Sequence, residues 1–71
     1  MYKEALVLDD DLNLSKLYAT ILKKSGYDVK VMSTSQDVFD YVNDNTFRIL
    51  YDNEYSLLLV LDYNLSPGER L

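Results

Sequence analysis

Two short apolar runs, each followed directly by aspartate, constrain the fold of this 71-residue chain more than any other feature. The runs and the aspartates that follow them are 5–8 with Asp9, Asp10 and Asp11, and 57–61 with Asp62. Uninterrupted apolar runs of this length are typical of strands buried on both faces, as parallel strands are. The ends of neighbouring parallel strands meet at one edge of the sheet, where α/β proteins bind ligands. The sequence therefore predicts that aspartates from two strands lie close together.

The segment after the first run predicts a helix. Asp11 is a suitable N-cap residue, and Gly26 suits the left-handed conformation that ends many helices. Between them, apolar residues repeat at helical spacing and define one face, which comprises Leu14, Leu17, Tyr18, Ile21 and Leu22.

The middle of the chain predicts a second strand and a second helix. Residues 27–32 alternate between apolar and polar, which favours a strand with one solvated face or one at the sheet edge. Two overlapping capping boxes, beginning at Ser33 and Thr34, then indicate a helix start. Residues 46–54 are compatible with a continued helix, a turn or a separate strand. Of these we favour a helix that frays at 52–53.

The resulting order, β-α-β-α-β, predicts an α/β fold with a parallel sheet. Right-handed crossovers place its strands in the order 2-1-3. The run 57–61 suits an inner strand, yet no later element of this chain is predicted to pair with its free edge. We therefore expect residues 1–71 to be an incomplete domain, with self-association through the third strand as a possible consequence.

The composition excludes several function classes. Twelve acids and seven bases give a net charge of −5, which opposes binding to nucleic acid or to anionic membranes. The chain has no cysteine and no histidine, so disulfides, histidine-based zinc sites and imidazole-activated nucleophiles are excluded. No apolar run has the length of a membrane span, and no segment resembles a signal peptide. We expect a cytoplasmic protein.

The grouped aspartates predict a cation site. Carboxylates held together repel one another, and a hard divalent cation removes that cost; Mg²⁺ is usually held by one or two carboxylates with waters and phosphate oxygens. An isolated aspartate triplet is more often a solvated helix cap, which is the interpretation we keep for Asp11. Asp62 at the end of the second run is what favours a metal site.

The chain reads LVLDDD at 6–11 and LVLDYNL at 59–65, and this pattern resembles the receiver domain of two-component response regulators. The resemblance runs the length of the chain and covers about the first three-fifths of a receiver. It implies a partial flavodoxin-like fold and a protein that is not an enzyme. Such a domain accepts a phosphoryl group from a sensor histidine kinase or a phosphotransfer protein.

The resemblance also implies roles for individual residues. Asp62 corresponds to the phosphoacceptor, and Asp9 and Asp10 to the acidic pair that holds Mg²⁺ together with it. Asn64 corresponds to the position whose backbone carbonyl completes the metal shell. The chain departs from the family at Ser66, where proline is usual, and in a longer segment before Asp62. The hydroxyl residue and the lysine of the family's fourth and fifth strands have no counterpart in residues 1–71.

Two other classes of function remain for a chain with this pattern. A truncated or degenerate receiver would act as a phosphorylation-independent interaction module, binding through its third strand or first helix. A nucleotide-binding Rossmann half would need a glycine-rich turn after the first strand. Asp9, Asp10 and Asp11 stand there instead and would repel phosphate without a cation.

Overall fold

A three-stranded parallel sheet organises the chain, with strand order β2-β1-β3. The computed structural model describes residues 1–62. Its elements are β1 (Tyr2–Asp9), α1 (Leu12–Lys24), β2 (Asp28–Met32), α2 (Ser35–Asp44), α3 (Thr46–Tyr51) and β3 (Tyr55–Asp62). The predicted α/β class and the strand order 2-1-3 are confirmed.

Strand β1 lies at the centre of the sheet and supplies most of the core. Ala5, Leu6 and Val7 are fully buried, because each has a strand on both sides and a helix over one face. On one face, Leu6 and Leu8 pack with Val38 of α2. The continuous apolar run of β1 thus has the burial that the sequence predicts for a central parallel strand.

Helix α1 begins and ends where the sequence predicts. The Asp11 carboxylate accepts hydrogen bonds from the backbone N–H groups of Asn13 (2.9 Å) and Leu14 (3.3 Å). Beyond the other end of the helix, Gly26 has a φ of +92°, in the left-handed region that favours glycine. The N-cap and the glycine stop are both confirmed.

The apolar face predicted for α1 is not the face that packs on the sheet. Ser15 and Ala19 are the buried residues of this helix, whereas Leu14, Leu17 and Ile21 are exposed. The two small side chains lie one turn apart on the side of α1 that meets the sheet. The helix therefore packs on the sheet through its small residues and leaves an apolar stripe outward.

The segment that follows β2 forms two short helices. The capping box at Thr34 is the one that forms: the backbone N–H of Asp37 donates to the Thr34 hydroxyl (3.1 Å), and the Asp37 carboxylate accepts from the backbone N–H of Thr34 (3.2 Å). The helical path breaks at Asn45 and resumes in α3, which ends at Tyr51. The favoured helix within 46–54 is confirmed over Thr46–Tyr51, and it ends directly before the predicted fraying at 52–53.

Strand β3 is less buried than its sequence predicts. Within residues 1–62 it pairs only with β1, and helix α1 lies over β1 and β2 without reaching it. Leu58, Leu59 and Leu61 are consequently exposed, the last with 54% of its surface open. No helix in this part of the chain is both long and apolar enough to span a membrane.

Candidate functional site

Asp9 and Asp62 are register partners at the carboxyl edge of the sheet. Asp9 ends β1, Asp62 ends β3, and the two strands pair in parallel over their whole length. Neighbouring strands lie about 4.8 Å apart, so the two Cα atoms are close and both side chains leave the same edge. The two apolar runs thus bring their terminal aspartates together.

The Asp9 side chain is buried and only half satisfied. It is 6% exposed, and its Oδ1 accepts a hydrogen bond from the backbone N–H of Asp11 (2.8 Å). Its Oδ2 is buried without a hydrogen-bond partner among the described residues. The Ser15 hydroxyl donates to the Asp9 backbone carbonyl (3.4 Å) and does not reach the carboxylate. A buried carboxylate oxygen without a partner is costly, so Oδ2 is available to a donor or a cation.

The other predicted site residues differ in their surroundings. Asp10 and Asp62 are exposed, and Asp11 caps α1 as predicted. Within residues 1–62, none of these carboxylates forms an ion pair with a side chain, and no three acidic side chains are close enough together to hold a metal ion. Asn64, the predicted carbonyl ligand, lies outside the described residues.

The residues present nevertheless fit a hard divalent cation. Mg²⁺ is usually bound through one or two carboxylates, with water completing its shell. Asp9 offers a buried, unpartnered oxygen, and its register partner Asp62 offers an exposed carboxylate at the same edge of the sheet. Asp9 and Asp62 would hold the ion, with Asp9 as the fixed ligand because the backbone N–H of Asp11 restrains its side chain.

A second polar cluster, which the sequence did not reveal, lies at the opposite end of the same strands. Glu4 of β1 is 2% exposed. Its Oε1 accepts hydrogen bonds from the hydroxyls of Tyr41 and Tyr55, the latter at 2.7 Å. Its Oε2 accepts from Tyr2 (3.2 Å) and lies 3.6 Å from the Lys30 ammonium. The Glu4 cluster, comprising these five residues, connects all three strands to α2.

Burial and hydrogen bonding act in opposite directions on Glu4. Burial alone would raise the pKa of Glu4, but the hydroxyls of Tyr41 and Tyr55, with the Lys30 charge, stabilise the carboxylate and bring its pKa below the ordinary value. The balance therefore keeps Glu4 ionised at neutral pH.

The tyrosine hydroxyls shift in the complementary direction. Burial and the hydrogen bond to Glu4 raise the pKa of Tyr55 to about 12. Burial, followed by the same carboxylate, raises the pKa of Tyr41 as well. The pKa of Tyr2 rises to about 12, chiefly through its hydrogen bond to Asp28. All three tyrosines therefore remain hydrogen-bond donors well above neutral pH.

The hydroxyls of Tyr2, Tyr41 and Tyr55 thus donate to a buried carboxylate, whereas tyrosine often keeps its hydroxyl in water. The one sequence signal for this cluster is an acid, Glu4, directly before the apolar run 5–8 that predicts a buried strand. Arg48 of α3 also stacks over the Tyr55 ring, 4.1 Å from its centroid. The tyrosines of the cluster lie far apart in sequence, so no local pattern links them.

Comparison of the chain with protein-family models, with curated proteins and with solved structures gave no match in any of the three.

Proposed function

We propose that this chain is the N-terminal portion of a receiver domain, which accepts a phosphoryl group on Asp62 with the help of Mg²⁺. The observation that carries the proposal is the register pairing of Asp9 with Asp62, together with the buried, unpartnered Oδ2 of Asp9. The strand order 2-1-3 is compatible with a partial flavodoxin-like unit. The donor would be a histidine kinase or a phosphotransfer protein, and the setting the cytoplasm.

The exposure of each carboxylate suits its proposed role. Asp62 is exposed at the end of its strand, so one of its oxygens can attack phosphorus while the bond to the donor's leaving group breaks. Asp9 is buried and restrained, which suits a fixed ligand better than a nucleophile. When bound, Mg²⁺ supplies positive charge that offsets the carboxylates and the phosphoryl oxygens.

Magnesium binding gives the first test. In a chemical-shift titration with Mg²⁺, the amides of residues 9–11 and 62 should move, and Asp9→Asn or Asp10→Asn should abolish the change. Asp11→Asn is the matched control, because asparagine caps a helix as well as aspartate does. Uniform or absent shifts in a folded sample would contradict the metal site.

Phosphoryl transfer gives the second test. Incubation with a small phosphodonor and Mg²⁺, followed by intact-mass measurement, should show one added phosphoryl group. Asp62→Asn should prevent the addition, whereas Asp52→Asn, at an exposed position before β3, should not. Modification that persists in Asp62→Asn would rule out Asp62 as the acceptor.

A phosphorylation-independent interaction module is the second candidate function. The exposed apolar stripe of α1 (Leu14, Leu17 and Ile21) and the open face of β3 favour it, since both offer apolar surface to a partner. The two functions differ in whether they need the carboxylates of Asp9, Asp10 and Asp62. An interaction module would keep its partner after Asp62→Asn and would not respond to Mg²⁺.

A further inference from the structure

The apolar run of β3 does not by itself fix how this strand pairs with β1. Residues 57–61 are apolar at every position, so both faces of the strand carry apolar side chains. In a strand with one polar face, a shift of one residue exchanges buried and solvated side chains, and this is what usually specifies the register. Here a shift of one or two residues along the run 5–8 of β1 only exchanges one apolar neighbour for another. The observed register must therefore be selected by other contacts.

The aspartates at the ends of the two strands do not select it. Asp9 lies opposite Asp62, and within residues 1–62 neither carboxylate forms an ion pair with a side chain. Like charges at directly opposite positions destabilise a pair of strands. In the absence of a cation, this end of the ladder favours any shift that separates the two aspartates.

The Glu4 cluster, at the other end of the ladder, makes contacts that depend on the register. Tyr55 lies opposite Tyr2, and its hydroxyl reaches diagonally to Oε1 of Glu4 at 2.7 Å. The rings of Tyr2 and Tyr55 pack with their centroids 5.9 Å apart, and Arg48 stacks over both. A shift of one residue would turn Tyr55 to the other face of the sheet, and a shift of two would displace it by about 7 Å. Either shift would disrupt the hydrogen bond to a buried carboxylate, which is costly.

The two strands connect this cluster to the proposed cation site. Glu4 and Asp9 belong to β1, and Tyr55 and Asp62 belong to β3. Glu4 and Asp9 are about 17 Å apart along their strand, so the cluster does not touch the site. The ladder between the strands is continuous, and a register fixed at Tyr55 therefore also fixes the partner of Asp62.

We propose that the hydrogen bond from Tyr55 to Glu4 sets the register of β3 on β1 and thereby places Asp62 opposite Asp9. Glu4 and Tyr55 are then positioning residues, which act on the cation site through the strands. Fixing a register is the best-attested role of buried polar groups. The consequence for cation binding rests on the proposed function, whereas the effect on the register does not.

Two matched variants separate register from stability. Tyr55 and Tyr41 donate to the same oxygen of Glu4, so Tyr55→Phe and Tyr41→Phe each remove one hydroxyl from one acceptor. Tyr55 lies in β3, whereas Tyr41 lies in α2. Both variants should lose stability, but only Tyr55→Phe should change the pairing of β1 with β3. Urea unfolding gives the folded fraction of each variant, so that the comparisons refer to folded molecules.

Nuclear Overhauser effects (NOEs) between backbone protons of β1 and β3 measure the register directly. In the wild type and in Tyr41→Phe they should place Leu59 beside Leu6 and Leu61 beside Leu8. In Tyr55→Phe these NOEs should weaken, and a second set displaced along β1 should appear. The proposal would be overturned if Tyr55→Phe kept only the wild-type set, or if Tyr41→Phe changed to the same extent.

Magnesium titration measures the consequence for the site. The Mg²⁺ dissociation constant of folded Tyr55→Phe should rise about threefold or more, because apparent affinity scales with the fraction of molecules in the competent register. Tyr41→Phe should bind Mg²⁺ as the wild type does. A shifted register with unchanged affinity would overturn the positioning role. A wild type that binds no Mg²⁺ would contradict the proposed function, and the NOEs would still decide whether Tyr55 sets the register.

A disulfide that imposes the register supplies the rescue. Lys3 and Ser56 are register partners, and the chain has no cysteine of its own. Neighbouring strands lie about 4.8 Å apart, within the range of a disulfide. Adding Lys3→Cys and Ser56→Cys to Tyr55→Phe should restore the wild-type NOEs and Mg²⁺ affinity on oxidation. The cross-link also restrains the unfolded chain, so this variant serves if Tyr55→Phe alone does not fold.

A second cysteine pair is the control for the disulfide itself. Lys3→Cys with Leu58→Cys, also in the Tyr55→Phe chain, imposes a shift of two residues and should leave Mg²⁺ affinity low after oxidation. Equal affinities for the two oxidised, folded chains would overturn the positioning role, as would an oxidised Ser56→Cys chain that binds no better than its reduced form.

Discussion

Tyr55 donates its hydroxyl to Oε1 of Glu4 at 2.7 Å, across the junction between the two longest strands. Leu57 is the register partner of Glu4, so this hydrogen bond runs diagonally over the β1–β3 ladder. Tyr41 reaches the same oxygen from α2. A single buried carboxylate thus holds together two strands and a helix that lie far apart in sequence.

Removal of the Glu4 carboxylate should destabilise the fold. Glu4→Leu leaves the hydroxyls of Tyr41 and Tyr55 in buried surroundings without their acceptor, which costs about 1 to 3 kcal/mol of unfolding free energy. Glu4→Gln keeps an acceptor oxygen and should cost less. Urea unfolding of both variants measures the effect, with exposed Glu54→Gln as the control. An unchanged midpoint in Glu4→Leu would mean that the cluster contributes nothing to stability.

Acid should weaken the fold through the same residue. The pKa of Glu4 is lower in the folded chain than its ordinary value, because the gains from Tyr41, Tyr55 and Lys30 exceed the cost of burial. The folded state therefore binds this proton less readily than the unfolded state does. The stabilising contribution of the ionised Glu4 carboxylate is present above about pH 4. It is lost as the pH falls through the pKa that Glu4 has in the folded chain. Urea midpoints measured against pH should fall more steeply for the wild type than for Glu4→Gln, and parallel curves would contradict this.

Alkali should weaken the fold through the tyrosines. The pKa of Tyr55 is raised to about 12 when folded, so the folded state holds this proton more tightly than the unfolded chain does. The stabilising contribution of the protonated Tyr55 hydroxyl is fully present below about pH 10. It is lost as the pH rises from there through the pKa that Tyr55 has in the folded chain. Absorbance titration should show a late-ionising group of tyrosines that is smaller in Tyr55→Phe. Ionisation of all seven tyrosines in one step near pH 10 would contradict the prediction.

Asp9 should show opposite effects on stability and on cation binding. Its Oδ2 is buried without a partner, while its Oδ1 accepts from Asp11. Asp9→Asn keeps an oxygen that accepts the hydrogen bond from the Asp11 backbone N–H, and it removes a buried charge. In the absence of Mg²⁺ we therefore expect the unfolding free energy to rise by about 1 kcal/mol. Thermal unfolding with and without Mg²⁺ measures both effects, with exposed Asp10→Asn as the comparison. A loss of stability in Asp9→Asn without Mg²⁺ would show that the carboxylate is better satisfied than its hydrogen bonds indicate.

The strands and their order could be predicted because their signals are local. A short uninterrupted apolar run specifies a strand, and the handedness of the crossovers orders the strands. The same reasoning predicted that Asp9 and Asp62 meet, since register follows once the strands are parallel neighbours. Asp11 and Gly26 marked the ends of α1 through capping chemistry that involves only nearby residues.

The features that the sequence did not predict are those that depend on tertiary packing. The spacing of Leu14, Leu17 and Ile21 predicted the apolar face of α1, but the helix packs on the sheet through Ser15 and Ala19. Helical periodicity identifies an apolar stripe and does not say whether the sheet or another surface covers it. The Glu4 cluster depends on tyrosines from three separate elements, and its acceptor gives only one weak signal in the sequence.

The pairing of β1 with β3 has a consequence for the order in which the chain folds. Each ladder contact between these strands joins residues roughly 50 positions apart, and such contacts slow folding because a long loop must close first. During synthesis, β1 emerges first and can pair with β2, but its other edge stays open until residues 55–62 have been made. Helices α1 and α2 can form in that interval. The pairing of Asp9 with Asp62 and the Glu4 cluster both require β3. The proposed cation site should therefore form in a single late step, together with the hydrogen bonds of the Glu4 cluster.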